Sequence, residues 1–379
     1  MRTCKPWAIT SLASLLVAAA VTACDGGTPQ STSPGATSPA AAAVRNVRIV
    51  PRTAIRRDRR SISDVALFGP YAAWAEGPAR SDSLTEVVVF DTRSGASRVV
   101  ATAPPGGEVD AVRSGSAQTS TLIAYTVLER FPTDANPYST WRLEAVDVVS
   151  GVKTVIARST QPDPAPTIPV ASLFGRWCAW AQYDAPTKSN TIVVEDLTTH
   201  AVHDVAKNVQ SSAVGGDGDV LVYDDSVGSA VGQRAVLGVN LRTGQRKRIS
   251  AVGNVGEPAV ANGAVTWQQR TAPPPSNAQA EWYVRLDSQS TPVVIANSQN
   301  GNAIAGRDVV AWLDDRGGLQ VASIPQRAAA VVAQAVPIDP GMVLSIAARW
   351  HLDGDRLIWA SNDASGNTTV VHIDDVVLG

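Results

Sequence analysis

The chain has 379 residues, a formal net charge of −2 and 44% hydrophobic residues. This length can accommodate one large domain or two small ones. Lysine and arginine together do not outnumber the acidic residues. This balance argues against a protein that binds nucleic acid through a basic surface.

The first 23 residues have the features of an export signal. Arg2 and Lys5 supply positive charge, and residues 7–21 are apolar or small and carry no charge. This uncharged segment is shorter than the roughly 20 residues of a membrane-spanning helix, and it suits the hydrophobic region of a signal peptide. It runs into the sequence Val-Thr-Ala-Cys at residues 21–24.

Residues 21–24 resemble the lipobox of bacterial lipoproteins. The resemblance implies cleavage before Cys24 and a diacylglyceryl thioether, with palmitate-type acyl chains, on the Cys24 sulfur. Because two acyl chains give stable anchoring, we expect a lipid-anchored protein of the cell membrane, on its extracytoplasmic face, with membrane lipid as the partner of Cys24. The alternative is an ordinary secretory signal followed by a chance cysteine.

A flexible tether and one folded domain are predicted after the anchor. Residues 24–43 are rich in Gly, Ser, Thr, Pro and Ala and contain one charged residue, a composition that cannot form a core. The domain is then residues 44–379. It contains a single cysteine, Cys178, which cannot form an internal disulfide and which we interpret as a small buried hydrophobic residue.

A short apolar segment centred on an aromatic residue recurs through this domain. Its copies are 43 to 55 residues apart, a spacing typical of β-propeller blades, whose repeats have about 40 to 50 residues. The aromatic residues of the seven copies are Trp74, Tyr125, Trp180, Tyr223, Trp267, Trp312 and Trp359.

Each copy has the same order of strands and turns. A glycine precedes the aromatic residue in all copies but the second, and glycine supplies the positive φ that a tight hairpin needs. A second strand then ends in a turn opened by Asp or Asn and often closed by Gly, as at Asp91 and Gly95. The short Val- and Ile-rich segments indicate strands. We therefore predict an all-β protein, a β-propeller of four-stranded blades.

The number of copies favours seven blades, with six as the alternative. The last copy is incomplete, since residues 368–373 are the only predicted strand after Trp359. A strand predicted at residues 44–55 has no partner of its own. We predict that this N-terminal strand completes the final blade, because closing the ring removes its free sheet edges.

The recurring pattern of this chain resembles the repeats of TolB-like propellers, which are WD40-like. This pattern is Gly-Asp-x-apolar-Trp, then a strand ending in Asp, then a Thr-Gly or Ser-Gly turn. The resemblance extends over residues 60–379 and implies the propeller fold. The chain departs from TolB in showing seven repeats rather than six and no N-terminal domain of the kind TolB carries.

Polar side chains follow the repeat aromatic in most copies, and they form our candidate binding face. In a propeller these strand ends lie on one face around the central channel, and the longest insertions fall on that face. A ring of carboxylates and amides there suits a cation, a sugar or a basic peptide; the alternative is that strand ends are polar because they leave the core. The candidate residues are Glu76, Glu129, Asp184, Asp225, Gln269, Asp314 and Asp363.

No motif predicts a catalytic residue, a metal site or a cofactor. The chain lacks a Walker A loop, a dinucleotide fingerprint, His-Glu-x-x-His, Cys-x-x-Cys and Gly-x-Ser-x-Gly. His200 and His203 are interpreted as a solvent-exposed pair. Residues 56–60, which include four arginines, are interpreted as a solvated strand end, with a contact to lipid headgroups as the alternative.

The function expected from these features is a binding one. We expect a scaffold that binds a protein partner or an extracellular ligand at the cell envelope, with no enzymatic activity and no nucleic acid partner. The alternative is a propeller enzyme or binding protein that acts on cell-wall or extracellular carbohydrate or peptide, because propeller active sites are assembled from scattered residues and need leave no motif.

Overall fold

The structure is a computed structural model that describes residues 47–379 with gaps. It does not describe residues 1–46, 80, 82, 116–120, 131–138, 160–167, 185, 212, 228–232, 271–279, 287–291, 298–302, 307, 314–318, 324–328, 334–349 and 363–366, and for 280–286, 293, 295–297 and 329–333 it describes the backbone alone. Internal contacts separate Met1–Ala42 from Ala43–Gly379, and every described residue belongs to the second unit. The predicted signal peptide, Cys24 and the tether therefore lie outside the described residues.

The described residues form 28 strands arranged in seven four-stranded antiparallel sheets. The first strand along the chain is β1 (Val47–Asp58). Blades 1 to 3 consist of β2 (Arg60–Phe68), β3 (Tyr71–Pro78), β4 (Glu86–Asp91) and β5 (Ala96–Thr102); β6 (Glu108–Ser114), β7 (Leu122–Leu128), β8 (Trp141–Asp147) and β9 (Lys153–Arg158); and β10 (Ser172–Phe174), β11 (Trp177–Asp184), β12 (Ser189–Asp196) and β13 (Ala201–Val209).

Blades 4 to 7 repeat this arrangement. They consist of β14 (Val214–Asp217), β15 (Val220–Ser226), β16 (Arg234–Asn240) and β17 (Arg246–Arg248); β18 (Asn254–Ala261), β19 (Ala264–Arg270), β20 (Ala280–Leu286) and β21 (Val293–Asn297); β22 (Ile304–Ala305), β23 (Val309–Leu313), β24 (Leu319–Ser323) and β25 (Ala329–Ala333); and β26 (Trp350–Asp353), β27 (Arg356–Asn362) and β28 (Thr368–Leu378) with β1. The predicted all-β, four-stranded blades are confirmed.

The N-terminal strand completes the final blade, as predicted. β1 pairs antiparallel with β28 from Val47 opposite Leu378 to Asp58 opposite Thr368. The strand ends at Asp58, three residues later than predicted, and the first three residues of the predicted strand, 44–46, lie outside the described residues. Residues 56–60 span the end of β1 and the start of β2. Arg56 and Arg59 are exposed, in agreement with the predicted solvated strand end, whereas Arg57 and Arg60 are half-buried.

The first strands of the seven blades surround the centre of a ring. β2 contacts β6, and each first strand contacts the next as far as β26, which contacts β2 again. β6 and β10 run in the same direction where they meet, with a parallel bridge between Gly115 and Leu173. The first strand is therefore the innermost strand of each blade, and the sheet order puts the fourth strand at the outer edge.

The ring has two faces with different connections. Because the strands alternate in direction, the connections between the second and third strands and those between blades lie on one face, which we name the loop face. The tight turns after the first and third strands lie on the opposite face, which we name the turn face. The strands that flank the long insertions of the sequence therefore end on the loop face, as the order of the strands predicts.

The core lies between neighbouring blades. Six of the seven repeat aromatics are buried, and Trp74 and Tyr125 have no exposed surface. One apolar cluster joins Ala73 and Val87 of blade 1 to Val112 and Ile123 of blade 2. Since the sheets pack face to face around the ring, each aromatic recurs at the same depth, and this explains the period of the sequence.

The predicted turn after the third strand has the expected chemistry. The Asp91 and Asn240 side chains accept hydrogen bonds from the amides two residues further on, at 2.9 and 3.1 Å. Gly95 closes the first of these turns with φ of 70°. In blade 3, His200 takes that place with φ of 57°, which explains why this copy of the pattern looks degenerate.

Candidate functional site

Glu76, the first residue of the predicted ring, is fully buried at the boundary between blades 7 and 1. Arg57 of β1 donates two hydrogen bonds to its carboxylate, at 2.6 and 2.9 Å. Trp74 Nε1 donates a third at 2.9 Å, and the Arg60 Nε atom lies 3.5 Å away. The Glu76 carboxylate is thus bound to partners in its own chain, and we name this group with Glu86 the seam cluster.

Four other predicted residues lie at the loop-face ends of their blades. Glu129 is exposed and pairs with Arg142 Nη1 at 3.0 Å, and Asp184 is exposed and accepts a hydrogen bond from Thr187 at 2.7 Å. Asp225 and Gln269 are half-buried, and burial raises the pKa of Asp225. Among the described residues, no hydrogen bond or ion pair joins any two of these five predicted side chains. The last two members of the predicted ring, Asp314 and Asp363, lie outside the described residues.

A polar cluster that the sequence analysis did not single out lies on the innermost strands of blades 1 and 2. Asp64 of β2 is buried, and its carboxylate accepts hydrogen bonds from the Ala111 amide at 3.2 Å and from Arg113 Nη1 at 3.0 Å. Asp110 of β6 is half-buried and hydrogen-bonds to Asp64. We name Asp64, Glu108, Asp110 and Arg113 the inner carboxyl cluster.

Two β-bulges bring these carboxyl groups together. The pairing of β2 with β3 shifts register between Ser63 and Ala66, and that of β6 with β7 shifts between Asp110 and Arg113. Within the bulges, Asp64 and Ala111 have φ of 52° and 54°, a left-handed conformation that is uncommon outside glycine. Such bulges redirect side chains and are frequent next to functional sites.

The inner carboxyl cluster holds a proton at neutral pH. Burial raises the pKa of Asp110 to about 8, and the charges of Asp64 and Glu108 add to this shift. Two carboxyl groups in hydrogen-bonding contact cannot easily both be ionised. Asp110 is therefore a hydrogen-bond donor, next to a carboxylate acceptor and the Arg113 guanidinium.

A histidine from a third blade lies near this cluster. His351 of β26, in blade 7, accepts a hydrogen bond from the Leu67 amide of blade 1 on its Nδ1 atom, at 3.3 Å. Burial lowers the pKa of His351 to about 4, and the charge of Arg113 acts in the same direction. The imidazole is therefore neutral, and blades 7, 1 and 2 each contribute a polar group to this part of the inner ring.

A second carboxyl pair joins blades 4 and 5. Asp224 of β15 is buried, pairs with Arg234, and accepts a hydrogen bond from Ser211 Oγ at 2.7 Å. Desolvation raises the pKa of Glu257, and the charge of Asp224 adds to that shift. Glu257 again lies in a bulge of an innermost strand, with φ of 55°. Blades 4 and 5 thus share one feature with blades 1 and 2: an acidic residue in the bulge of an innermost strand lies near a carboxyl group of the neighbouring blade.

The remaining reactive side chains do not form a site with these clusters. Cys178 is buried, and burial raises its pKa above the usual range of a thiol, in agreement with its interpretation as a hydrophobic residue. His200 is largely exposed and its Nδ1 atom lies 2.8 Å from Glu195. Within the described part of the chain, no group of three or more potential ligands could hold a metal ion.

Known proteins resemble the chain in fold alone. No family model matches the chain, and no curated protein matches it. The β-propeller domain of the Trilobed protease from Pyrococcus furiosus is 11% identical, with a TM-score of 0.57 over 84% of this chain and 95% of its own. An oligogalacturonate lyase in complex with manganese is 9% identical, with a TM-score of 0.57 over 88% of this chain and 98% of its own.

Other solved structures match over a smaller share of their length. The acylaminoacyl peptidase of Pyrococcus horikoshii is 11% identical, with a TM-score of 0.56 over 84% of this chain, and the chain spans only 52% of that protein. TolB from Acinetobacter baumannii is 13% identical over 84% of this chain and 65% of its own, with a TM-score of 0.44. The chain is therefore a β-propeller.

The ring closure differs from that described for one of these matches. The Trilobed protease propeller is described as having an open velcro topology, whereas here β1 is hydrogen-bonded to β28.

No helix among the described residues has the length and apolar character needed to cross a membrane.

Proposed function

We propose that the chain is a membrane-anchored, extracytoplasmic β-propeller lipoprotein that binds a ligand or a partner protein at the cell envelope. We place the binding site at the inner carboxyl cluster, approached from the loop face. The observation that supports this proposal is the convergence of His351, Asp64, Asp110 and Arg113 from three blades beside the centre of the ring.

The chemistry of this cluster suits a polar, uncharged ligand. A protonated carboxyl group and a guanidinium donate hydrogen bonds, and the neighbouring carboxylate accepts them. A saccharide or a peptide backbone offers donors and acceptors in similar number. We therefore favour an extracellular carbohydrate or peptide over a free metal ion as the ligand.

Ligand binding is tested by thermal unfolding of the full-length chain with a panel of cell-wall saccharides and short peptides. We expect at least one compound to raise the melting temperature of the wild type and not that of Asp110→Asn. Asp91→Asn is the matched control, because Asn240 occupies the corresponding turn position in blade 4. A panel without any shift, or equal shifts in wild type and Asp110→Asn, would contradict the site.

The anchor is a separate part of the proposal and has its own test. Replacing Cys24 with alanine removes the thiol that the lipobox chemistry needs, so we expect the protein to move from the membrane fraction to the soluble extracytoplasmic fraction. A neighbouring Thr22→Ser change keeps a small residue and serves as the control. Membrane retention of the Cys24→Ala protein would refute the lipid anchor and leave the binding site untouched.

A second candidate function is hydrolysis or cleavage of the same class of ligand. It is favoured by the contact between Asp64 and Asp110, because a carboxyl group with a raised pKa can act as a general acid beside a second carboxyl group. Chromatography of each saccharide or peptide after incubation would detect products. Products that disappear with Asp110→Asn support an enzyme, and unchanged compounds that still bind support the scaffold.

A further inference from the structure

A cavity on the turn face lies between blades 1 and 2, away from the proposed binding site. Its volume is about 310 Å³. Blade 1 lines it with the turn between β4 and β5 and with Arg98, and blade 2 lines it with Val148 and Val149. We name this cavity, together with the outer edge of β9, the blade 1–2 cleft.

Exposed valines extend the apolar wall of the cleft along blade 2. Val149 is 64% exposed, Val152 is 62% exposed and Val155 is 41% exposed. A single exposed apolar residue is ordinary, whereas several beside a cavity mark an interaction surface. These three lie within seven residues of chain, in the turn before β9 and in β9 itself.

The charges around the cleft are predominantly positive. Arg98, Lys153 and Arg158 are exposed, and no ion pair to an acidic side chain is formed by any of them within the described part of the chain. Arg98 donates a hydrogen bond to the Val148 carbonyl, which leaves other guanidinium N–H groups for a ligand. The acidic residue that lines the cavity, Asp91, is already paired with Arg93 at 3.2 Å.

The outer edge of blade 2 can accept an extended chain. β9 is the last strand of its sheet, so one of its backbone edges has no strand partner among the described residues. Charged side chains on an edge strand often serve only to prevent aggregation. Here, however, Val155 lies between Lys153 and Arg158 on β9, and Val152 directly precedes the strand, which gives the edge both an apolar and a cationic component.

From the cavity, the exposed valines and the unpaired cations, we propose that the blade 1–2 cleft binds an extended, acidic and apolar segment of a partner protein. The segment's backbone would add to the β9 edge, as in other cases of strand addition. Its carboxylates would pair with Arg98, Lys153 and Arg158, and its small apolar side chains would cover Val149, Val152 and Val155. This surface is independent of the loop-face site.

The proposal is tested by fluorescence anisotropy with the full-length chain and a labelled synthetic peptide of alternating valine and glutamate. We expect saturable binding that weakens about tenfold in Lys153→Glu, because a favourable charge contact becomes a repulsive one. Arg98→Glu should act in the same direction, and binding should weaken as salt is added. A peptide of alternating valine and lysine should not bind.

The apolar component has a matched control within the chain. Val152→Thr keeps the shape of the side chain and makes it polar, so it should weaken peptide binding. Val202→Thr changes a valine that is 55% exposed on the outer strand of blade 3, and it should have no effect. An unchanged melting temperature in each variant shows that folding is retained.

Three outcomes would overturn the proposal. The first is the absence of saturable binding by the valine–glutamate peptide. The second is equal binding of the acidic and basic peptides, or equal effects of the Val152 and Val202 changes. The third is sedimentation that shows a dimer of the chain which Lys153→Glu disrupts, because the occupant of the cleft would then be a second copy.

Discussion

The boundary between blades 7 and 1 and the boundary between blades 1 and 2 both contain buried carboxyl groups, and they neutralise the charge in different ways. At the boundary of blades 7 and 1, Glu76 and Glu86 are matched by Arg57 and Arg60. At the boundary of blades 1 and 2, Asp64 pairs with Arg113, and Asp110 lies in hydrogen-bonding contact with Asp64. The seam cluster is thus balanced by arginine, whereas the inner carboxyl cluster keeps a proton.

This difference separates a structural role from a functional one. The Arg57–Glu76 ion pair is hydrogen-bonded through both carboxylate oxygens, and it joins the outer strand of blade 7 to blade 1. A carboxyl group that holds a proton near neutral pH can exchange it, and such groups concentrate at functional sites. The comparison predicts large stability effects at the seam and smaller, pH-dependent effects at the inner carboxyl cluster.

Deletion of β1, residues 47–58, is expected to have the largest effect. It removes the pairing with β28 from Val47 to Asp58 and the Arg57 contacts to Glu76. We expect loss of the cooperative thermal transition, measured by circular dichroism. Deletion of residues 25–43 is the control and should leave the transition unchanged, and an unchanged transition without β1 would refute closure of the ring by this strand.

Glu76→Gln is expected to destabilise the protein by about 3 kcal/mol, because breaking a buried ion pair leaves its partner charge uncompensated. The free energy of unfolding in urea measures the effect. Glu86→Gln is the control: it removes an ion pair with Arg60 at a carboxylate that is partly exposed, so a loss below about 1 kcal/mol is expected. Similar losses for both changes would show that the seam does not depend on Glu76.

The fold was predictable because its signals are local and repeated. Each copy carries an aromatic residue and short Val-rich strands, and the first four copies have a turn opened by Asp or Asn. The incomplete last copy together with the unpaired first strand predicts the closure. Strand ends were less predictable. β1 extends to Asp58 through its pairing with β28, and its Arg57 contacts Glu76 of blade 1, a contact that no local pattern specifies.

The candidate site was only partly visible in the sequence. Glu76 belongs to the predicted ring of polar strand ends, but its pairing with Arg57 depends on how blades 7 and 1 meet. Asp64 and Asp110 interrupt apolar first strands at similar places in consecutive repeats, and this signal was available. Their contact was not predictable, because it requires left-handed bulges at Asp64 and Ala111, which the sequence does not mark with glycine.

Asp110→Asn is expected to remove a pH dependence from the stability. The folded pKa of about 8 lies above the unfolded value near 4, so the folded state holds one more proton between these values. This contribution to stability is present at low pH and is lost as pH rises towards 8. We expect the wild type to lose about 2 kcal/mol more than Asp110→Asn between pH 6.5 and 8.

Urea unfolding at several pH values measures this slope. The control is Asp91→Asn, because a hydrogen bond from Arg93 holds the pKa of Asp91 below its usual value and its titration lies far below pH 6.5. The Asp91 variant should keep the slope of the wild type. Equal slopes in the wild type and in Asp110→Asn would show that the inner carboxyl cluster does not retain its proton.

His351→Asn tests how the stability at the boundary of blades 7 and 1 changes as pH falls, and it has the smallest expected effect. The folded pKa of about 4 lies below the unfolded value near 6.5, so the unfolded chain binds the extra proton, and stability is lost as pH falls from 6.5 to 4. An asparagine can still accept a hydrogen bond from the Leu67 amide but does not titrate. We expect the variant to lose about 1.5 kcal/mol less than the wild type between pH 6.5 and 5, while the exposed His203→Asn control follows the wild type. Asp110 also changes the stability in this window. If the free energy of unfolding is constant between pH 5 and 6.5 in the wild type but varies with pH in His351→Asn, the two groups compensate each other. If it varies equally in both proteins, His351 takes up its proton in the folded ring.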